Sequence, residues 1–431
     1  MAKESIITLS LARIMIFDVL KTNCNVKRWP QFNQPEGYNE LGKQTLNMLG
    51  CFFLIQHAKK CGIRVDETRI PYIALKRLVE KTINGDIRDD NIYNILAEGK
   101  ISKRKFDSLY ESKILGKMSS LSKELLEVDD NWIETQIYKI ATKLATLVEA
   151  KEISPNDSEK EMEILSQISA YRESCPELVA IALDTSGPEY SVIKAIAQLR
   201  GNIRWLKETR GAECNVLEHN GETAILAWML SKELEPNDEI QATKLFWAGL
   251  FHDFPERWTG DMSSKVKDAV PGLREATEMY EDFCMEKYVY SILPEFEVSA
   301  IRHVMEDAGK RYRKMVKDAD YLSAAKECFR NIEGGSRDEY FFGVIKDTYD
   351  SRDSYSPIFA ESIELIYKET LAIYYDWLKI LPRVWNIDSK ILSRCIEKSI
   401  NKFCEDNKDC ISDTREIEWF TKFICEDLLK S

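Results

Sequence analysis

The sequence predicts an all-α protein made of two tandem helical domains and a helical extension. Apolar residues recur at spacings of three and four in Leu226 to Leu234, Ile358 to Trp377 and Ile391 to Phe403, the period of an amphipathic helix. Between them, alternating strand-like runs and Asn-Gly hairpin turns are scarce. The 431 residues also exceed one domain, and the turn formers Asp184-Thr185-Ser186-Gly187-Pro188 mark one clear joint between helical stretches.

From the N-terminus onward, Glu4, Arg13 and Asp18 interrupt the apolar residues too often for a secretory segment. The longest mostly apolar run, Leu46 to Ile55, is about half of what a bilayer requires. Eleven cysteines without a CxxC pair fit buried thiols in a reduced compartment. A cytoplasmic protein with no membrane association is expected. Sixty Lys and Arg against 72 Asp and Glu give a net charge of -12, which argues against nonspecific attraction to nucleic acid or anionic lipid. Any phosphate-bearing ligand then needs a local basic pocket.

The stretches on either side of the joint read as copies of each other. Lys27-Arg28-Trp29 parallels Ile203-Arg204-Trp205; Ala74 to Ile87 parallels Gly249 to Met262; Tyr138 to Leu144 parallels Val316 to Leu322; Ser174-Cys175-Pro176 parallels Tyr355-Ser356-Pro357. The offset stays between 175 and 181 residues, as an internal duplication requires. The expected domains are therefore 1–185, 188–370 and a tail, 371–431, that has no counterpart.

The second copy carries the chemistry. Of four histidines, His219 follows Glu218 just ahead of the helical run from Glu222, and His252 adjoins Asp253 at the end of the apolar stretch Leu245 to Phe251. Asp320 lies in another helical run. Imidazoles and carboxylates together suit a first-row divalent ion or magnesium, with positions left for water and a substrate oxygen. Glu256 lies three residues after Asp253, on the same face if the helix continues, where its carboxylate can accept a proton. Pro255 between them fits either a first helical turn or a kink. Arg204 offers a planar fork of donors for a phosphate, and Trp205 an aromatic face for sugar or base.

Arg204-Trp205, Asn215-Val216-Leu217-Glu218-His219, His252-Asp253-Phe254-Pro255-Glu256-Arg257-Trp258-Thr259-Gly260-Asp261 and Val316-Lys317-Asp318-Ala319-Asp320 together resemble the HD-domain metal-dependent phosphohydrolases of the bacterial 5'-deoxynucleotidase branch. The resemblance covers about 200–345. It implies that His219, His252, Asp253 and Asp320 hold one divalent metal such as manganese, cobalt or magnesium, and that Glu256 assists the attacking water. It further implies that Arg204 and Trp205 orient the phosphate and sense the deoxyribose. By the same resemblance Asp261 would contact substrate and share in catalysis, and Ser264 would join the substrate-facing set. Ser263-Ser264-Lys265 stands where the family usually has a proline-threonine-proline turn.

In the first copy, Arg77-Leu78 and Lys81 stand for His252-Asp253 and Glu256, Thr142 stands for Asp320, and no histidine lies between Tyr38 and Leu46. A metal-free half is expected, either purely structural or binding an anion through Arg28 and Lys81. Because nucleotidases of this branch commonly pair as homodimers, the resemblance implies an intrachain pseudo-dimer, with room for further oligomerisation. The expected activity is removal of the 5'-phosphate from deoxynucleoside monophosphates. The alternatives are deoxynucleoside triphosphate hydrolysis and a nucleotide-sensing or interaction role.

Overall fold

The computed structural model describes residues 16–30, 32, 37–85, 95–102, 105–106, 108, 111–112, 122–262, 264–306, 310–336, 338–385, 390, 394, 397 and 398. The fold is all-α. Among the described residues the extended backbone amounts to two isolated antiparallel bridges. The longer helices among the described residues are α1 (16–25), α2 (Glu40–Lys60), α3 (Ile70–Asn84), α4 (Ile133–Ile153), α5 (Ser158–Ser169), α6 (Pro176–Leu183), α7 (Pro188–Ala197), α8 (Val216–Leu234), α9 (Glu239–Phe251), α10 (Leu273–Met285), α11 (Glu295–Glu306), α12 (Lys310–Glu333), α13 (Glu339–Asp350) and α14 (Pro357–Trp385). None of the described helices is long and apolar enough to cross a membrane. α14 runs without a break through residue 370, where the sequence places the start of the tail. The predicted helix Ile391 to Phe403 falls almost wholly outside the described residues.

The joint at 184–188 is a tight turn. Asp184 Oδ1 accepts from the Ser186 backbone and hydroxyl, and Pro188 opens α7 at the position where a missing N–H costs nothing. On the two sides of this turn α4 packs on α2, and α12 packs on α8. α2 and α8 pack on each other, and one continuous hydrophobic core runs through both segments. α9 crosses α8 so closely that a Cβ at Gly249 would stand 2.9 Å from Ala224 Cα and from Thr223 O, so only glycine permits the crossing that sets the end of α9 beside the start of α8.

One piece of local structure occurs twice. Lys27 bridges Asn39, and Ile203 bridges Asn215. Trp29 (φ 57) and Trp205 (φ 60) both adopt the left-handed conformation, uncommon for a bulky residue. Arg28 Nε and Trp29 Nε1 both donate to Glu149 Oε2 on α4, each at 2.9 Å. Arg204 Nε and Trp205 Nε1 both donate to Glu327 Oε2 on α12, each at 2.8 Å. Each bridge then leads into a helix whose asparagine cap, Asn39 or Asn215, accepts from the backbone N–H three residues on.

His57, to which the sequence assigns no role, ties α2 to the second segment. Its Nε2 lies 2.8 Å from Glu189 Oε1 on α7 and 3.2 Å from Glu297 Oε1 on α11. Burial alone lowers the imidazole pKa, but the two carboxylates prevail and raise it to about 9. His57→Phe strips these buried carboxylates of their cation and is expected to cost about 3 kcal/mol near neutral pH. A folded-state pKa above the unfolded value of 6.5 gives stability that is full below that value and is lost as pH rises through about 9. In denaturant melts the gap between wild type and variant should therefore be wide at about pH 6 and narrow at about pH 9.5.

Candidate metal centre and active site

The chain brings the start of α8, the end of α9 and the middle of α12 to one point. The sequence starts the first of these helices at Glu222, whereas Asn215, whose Oδ1 accepts from Glu218 N, starts α8 at Val216. His219 therefore stands inside the first turn, fully buried, with its side chain fixed by the helix. α9 ends at Phe251, with His252 as its cap residue. The helix does not continue to Glu256: the chain turns at 252–255, and Pro255 leads into a separate turn, Glu256–Thr259, because its ring cannot supply the N–H of a continuing helix. On α12, Asp320, Ser323 and Glu327 share one face by helical spacing.

The ligand atoms of His219, His252 and Asp320 lie within 4.8 Å of one another. His219 Nε2 is 3.1 Å from Asp320 Oδ1, and Asp253 Oδ2 is 3.1 Å from His252 Nε2 and 3.6 Å from His219 Nε2. The far side of each ring is committed. His219 Nδ1 faces Ser323 Oγ at 3.0 Å and Glu327 Oε1 at 3.1 Å, and His252 Nδ1 faces Gly249 O at 2.7 Å. These contacts turn both Nε2 atoms inward, the arrangement by which outer groups orient metal-binding imidazoles. His252 Nε2 is buried and makes no hydrogen bond among the described residues. Lys317 engages Asp320 Oδ2, while Oδ1 faces the cluster. The donor set fits a divalent cation.

The electrostatics point the same way. Burial and the Arg204 charge disfavour a charged His219, yet Glu327 and Asp320 raise its pKa to about 10, so the surroundings favour positive charge at this spot. Burial pushes the Asp253 carboxyl up, but His252 outweighs it and brings the pKa down to about 2. Glu256 goes the other way: burial, then the Asp253 and Asp261 charges, raise it to about 10. Its Oε2 is buried without a hydrogen bond among the described residues.

Arg204 is buried, and its guanidinium pairs with Glu327 and reaches Asp261 Oδ2 at 3.7 Å. Trp205 is half-buried, its indole N–H committed to Glu327 and its ring set against Tyr340 and Phe341. Asp261 is exposed at the rim. Ser264 opens a short helix, Ser264–Ala269, and its side chain lies outside the described residues. His303 is exposed on α11. Glu327 was missed by the sequence reading, although its place seven residues after Asp320, two turns along one face, is a legible signal.

An all-α scaffold that presents two histidines and two aspartates in the order His219, His252-Asp253, Asp320 is similar to that of the HD type. Residues 191–358 match the family described as 5'-deoxynucleotidase YfbR-like, and this part of the chain is similar to the 5'-deoxynucleotidases of the HD-domain superfamily. A 5'-deoxynucleotidase of Enterobacter sp. (strain 638) is 25% identical over 161 residues, which are 35% of this chain and 80% of that protein. One of Vibrio atlanticus (strain LGP32) is 25% identical over 186 residues, 39% of this chain and 92% of that protein. No solved structure matches the chain significantly. The matches support nucleotide phosphohydrolase chemistry in the second segment.

Proposed function

We propose that the chain hydrolyses the 5'-phosphate of deoxynucleoside monophosphates at a single divalent metal held by His219, His252, Asp253 and Asp320. The observation that carries this reading is the set of two inward-turned Nε2 atoms facing Asp253 and Asp320, with the buried carboxyl of Glu256 and the buried guanidinium of Arg204 beside them. A divalent cation there would acidify a water molecule and neutralise charge on the phosphoryl oxygens. Arg204, kept charged by Glu327 and Asp261 against the pull of burial, binds and orients the phosphate. Glu256 accepts a proton from the attacking water; the new P–O bond forms as the bond to the 5'-oxygen breaks, and a proton ends on the departing hydroxyl. The charge of a cation among these carboxylates opposes the effects that raise Glu256 and makes it a better base. Trp205, fixed by Glu327, gives the sugar a rigid wall that favours deoxyribose.

The test is metal analysis of the purified chain, then phosphate release from deoxy and ribo mono- and triphosphates with manganese, cobalt or magnesium. One metal per chain and free phosphate from deoxynucleoside monophosphates are expected. Asp253→Ala should lose both metal and turnover. Unchanged metal content in that variant, or hydrolysis confined to triphosphates, would overturn the reading.

A further inference from the structure

A second group of ligand-type side chains shares no residue with the cluster around His219. His57 in the last turn of α2, Glu189 in the first turn of α7 and Glu297 in the first turn of α11 offer one ligand atom each, and these atoms all lie within 4.8 Å of one another. α7 and α11 both pack on α2. His57 Nε2 is 2.8 Å from Glu189 Oε1 and 3.2 Å from Glu297 Oε1. In a tetrahedral site with bonds of about 2.1 Å the donor atoms stand about 3.4 Å apart, so small shifts of these side chains admit an ion.

The three side chains do not satisfy one another. The single N–H at Nε2 is given to Glu189. Glu297 is wholly buried, and neither of its oxygens makes a hydrogen bond among the described residues. A buried carboxylate in that state is costly. Among the described residues His57 is the group with which both carboxylates form their ion pairs. Two carboxylates and a protonated imidazole keep one negative charge; with a neutral imidazole and a divalent cation the charges balance. Glu189 is buried like Glu297, whereas His57 is partly exposed. That exposed side gives an ion its way in and leaves room for a water as fourth ligand.

We propose that His57, Glu189 and Glu297 form a second metal site, for a divalent cation of the zinc class, which staples α2 of the first segment to α7 and α11 of the second. One imidazole with two carboxylates suits zinc, whereas calcium and magnesium seek more oxygen donors than these side chains supply. The ion displaces the proton that the imidazole holds in the metal-free chain. The site therefore fills from zinc added to the protein, and the ion retained through purification is that of the His219 centre. The role of this metal is structural, three bonds in place of a proton bridge.

The test uses the full chain as Asp253→Ala, which disables the other centre, stripped with chelator, dialysed and titrated calorimetrically with zinc. One zinc per chain is expected, and zinc should raise the melting temperature, because a ligand that binds only the folded state stabilises it. Adding Glu297→Gln should weaken zinc binding at least about a hundredfold, beyond the cost of losing an outer contact, and abolish the rise in melting temperature. With Asp253 intact, the same substitution should lower the zinc count from two to one. No zinc bound by Asp253→Ala, or zinc bound equally with and without Glu297→Gln, would overturn the proposal and leave the three residues as a proton-bridged ion pair. Should Glu297→Gln fail to fold, Glu189→Gln decides by the same comparison. Neither readout involves turnover, so the outcome is independent of the activity proposed for the chain.

Discussion

Glu256→Gln is expected to keep the fold and the metal and to lose at least about a hundredfold in turnover, the usual order for a positioned acid or base. The amide nearly matches the carboxyl in size, and the Oε2 atom it replaces makes no hydrogen bond among the described residues, so little but proton acceptance is lost. Metal analysis beside kcat separates the two effects. Activity within a few fold of wild type would move the base elsewhere, with Asp261 the first alternative because it reaches Arg204 at the same rim.

Glu327→Gln should be nearly as damaging by another route. Glu327 is buried and accepts from Arg204 Nε and Trp205 Nε1 on one oxygen while facing His219 Nδ1 on the other. Burial acts to raise its carboxyl, but Arg204 and His219 bring it down to about 2. An amide cannot balance the guanidinium, and its NH2 faces a donor. Breaking such a buried pair costs about 3 kcal/mol or more, and loss of an outer contact to a metal-binding histidine weakens metal about ten- to a hundredfold. A thermal melt and a metal titration measure the two. Unchanged metal affinity would show that Ser323 alone orients His219.

The helical class was legible because its signal is the three-and-four spacing itself, which packing in α8 and α14 only reinforces. The cluster that forms the candidate metal centre was legible because His252 and Asp253 are neighbours in the chain, and the motif around them pointed to the distant residues to seek. Helix boundaries were less so: Asn215 as a cap moves the start of α8 from Glu222 to Val216, and the two places open to Pro255, a first turn or a kink, are decided by the fold in favour of a separate turn. Glu327 and the role of His57 escaped for one reason. Their partners lie 108 and 132 residues away; His57 has no local pattern that marks it, and the seven-residue spacing of Glu327 from Asp320 is easily lost among 72 acidic residues.

The shared carboxylate at Glu327 has a thermodynamic consequence. On the proposed function, the group that would clamp phosphate, the ring that would lie beside the sugar and an imidazole of the candidate metal centre all lean on one side chain, so a displacement imposed by either ligand would be felt by the other. Linkage then requires reciprocity: whatever factor a non-hydrolysable nucleotide adds to the affinity for metal, metal must add to the affinity for that nucleotide. Under that proposal, metal affinity would be a property of the ternary complex, and a value obtained without nucleotide would describe a different equilibrium from the one that operates during turnover.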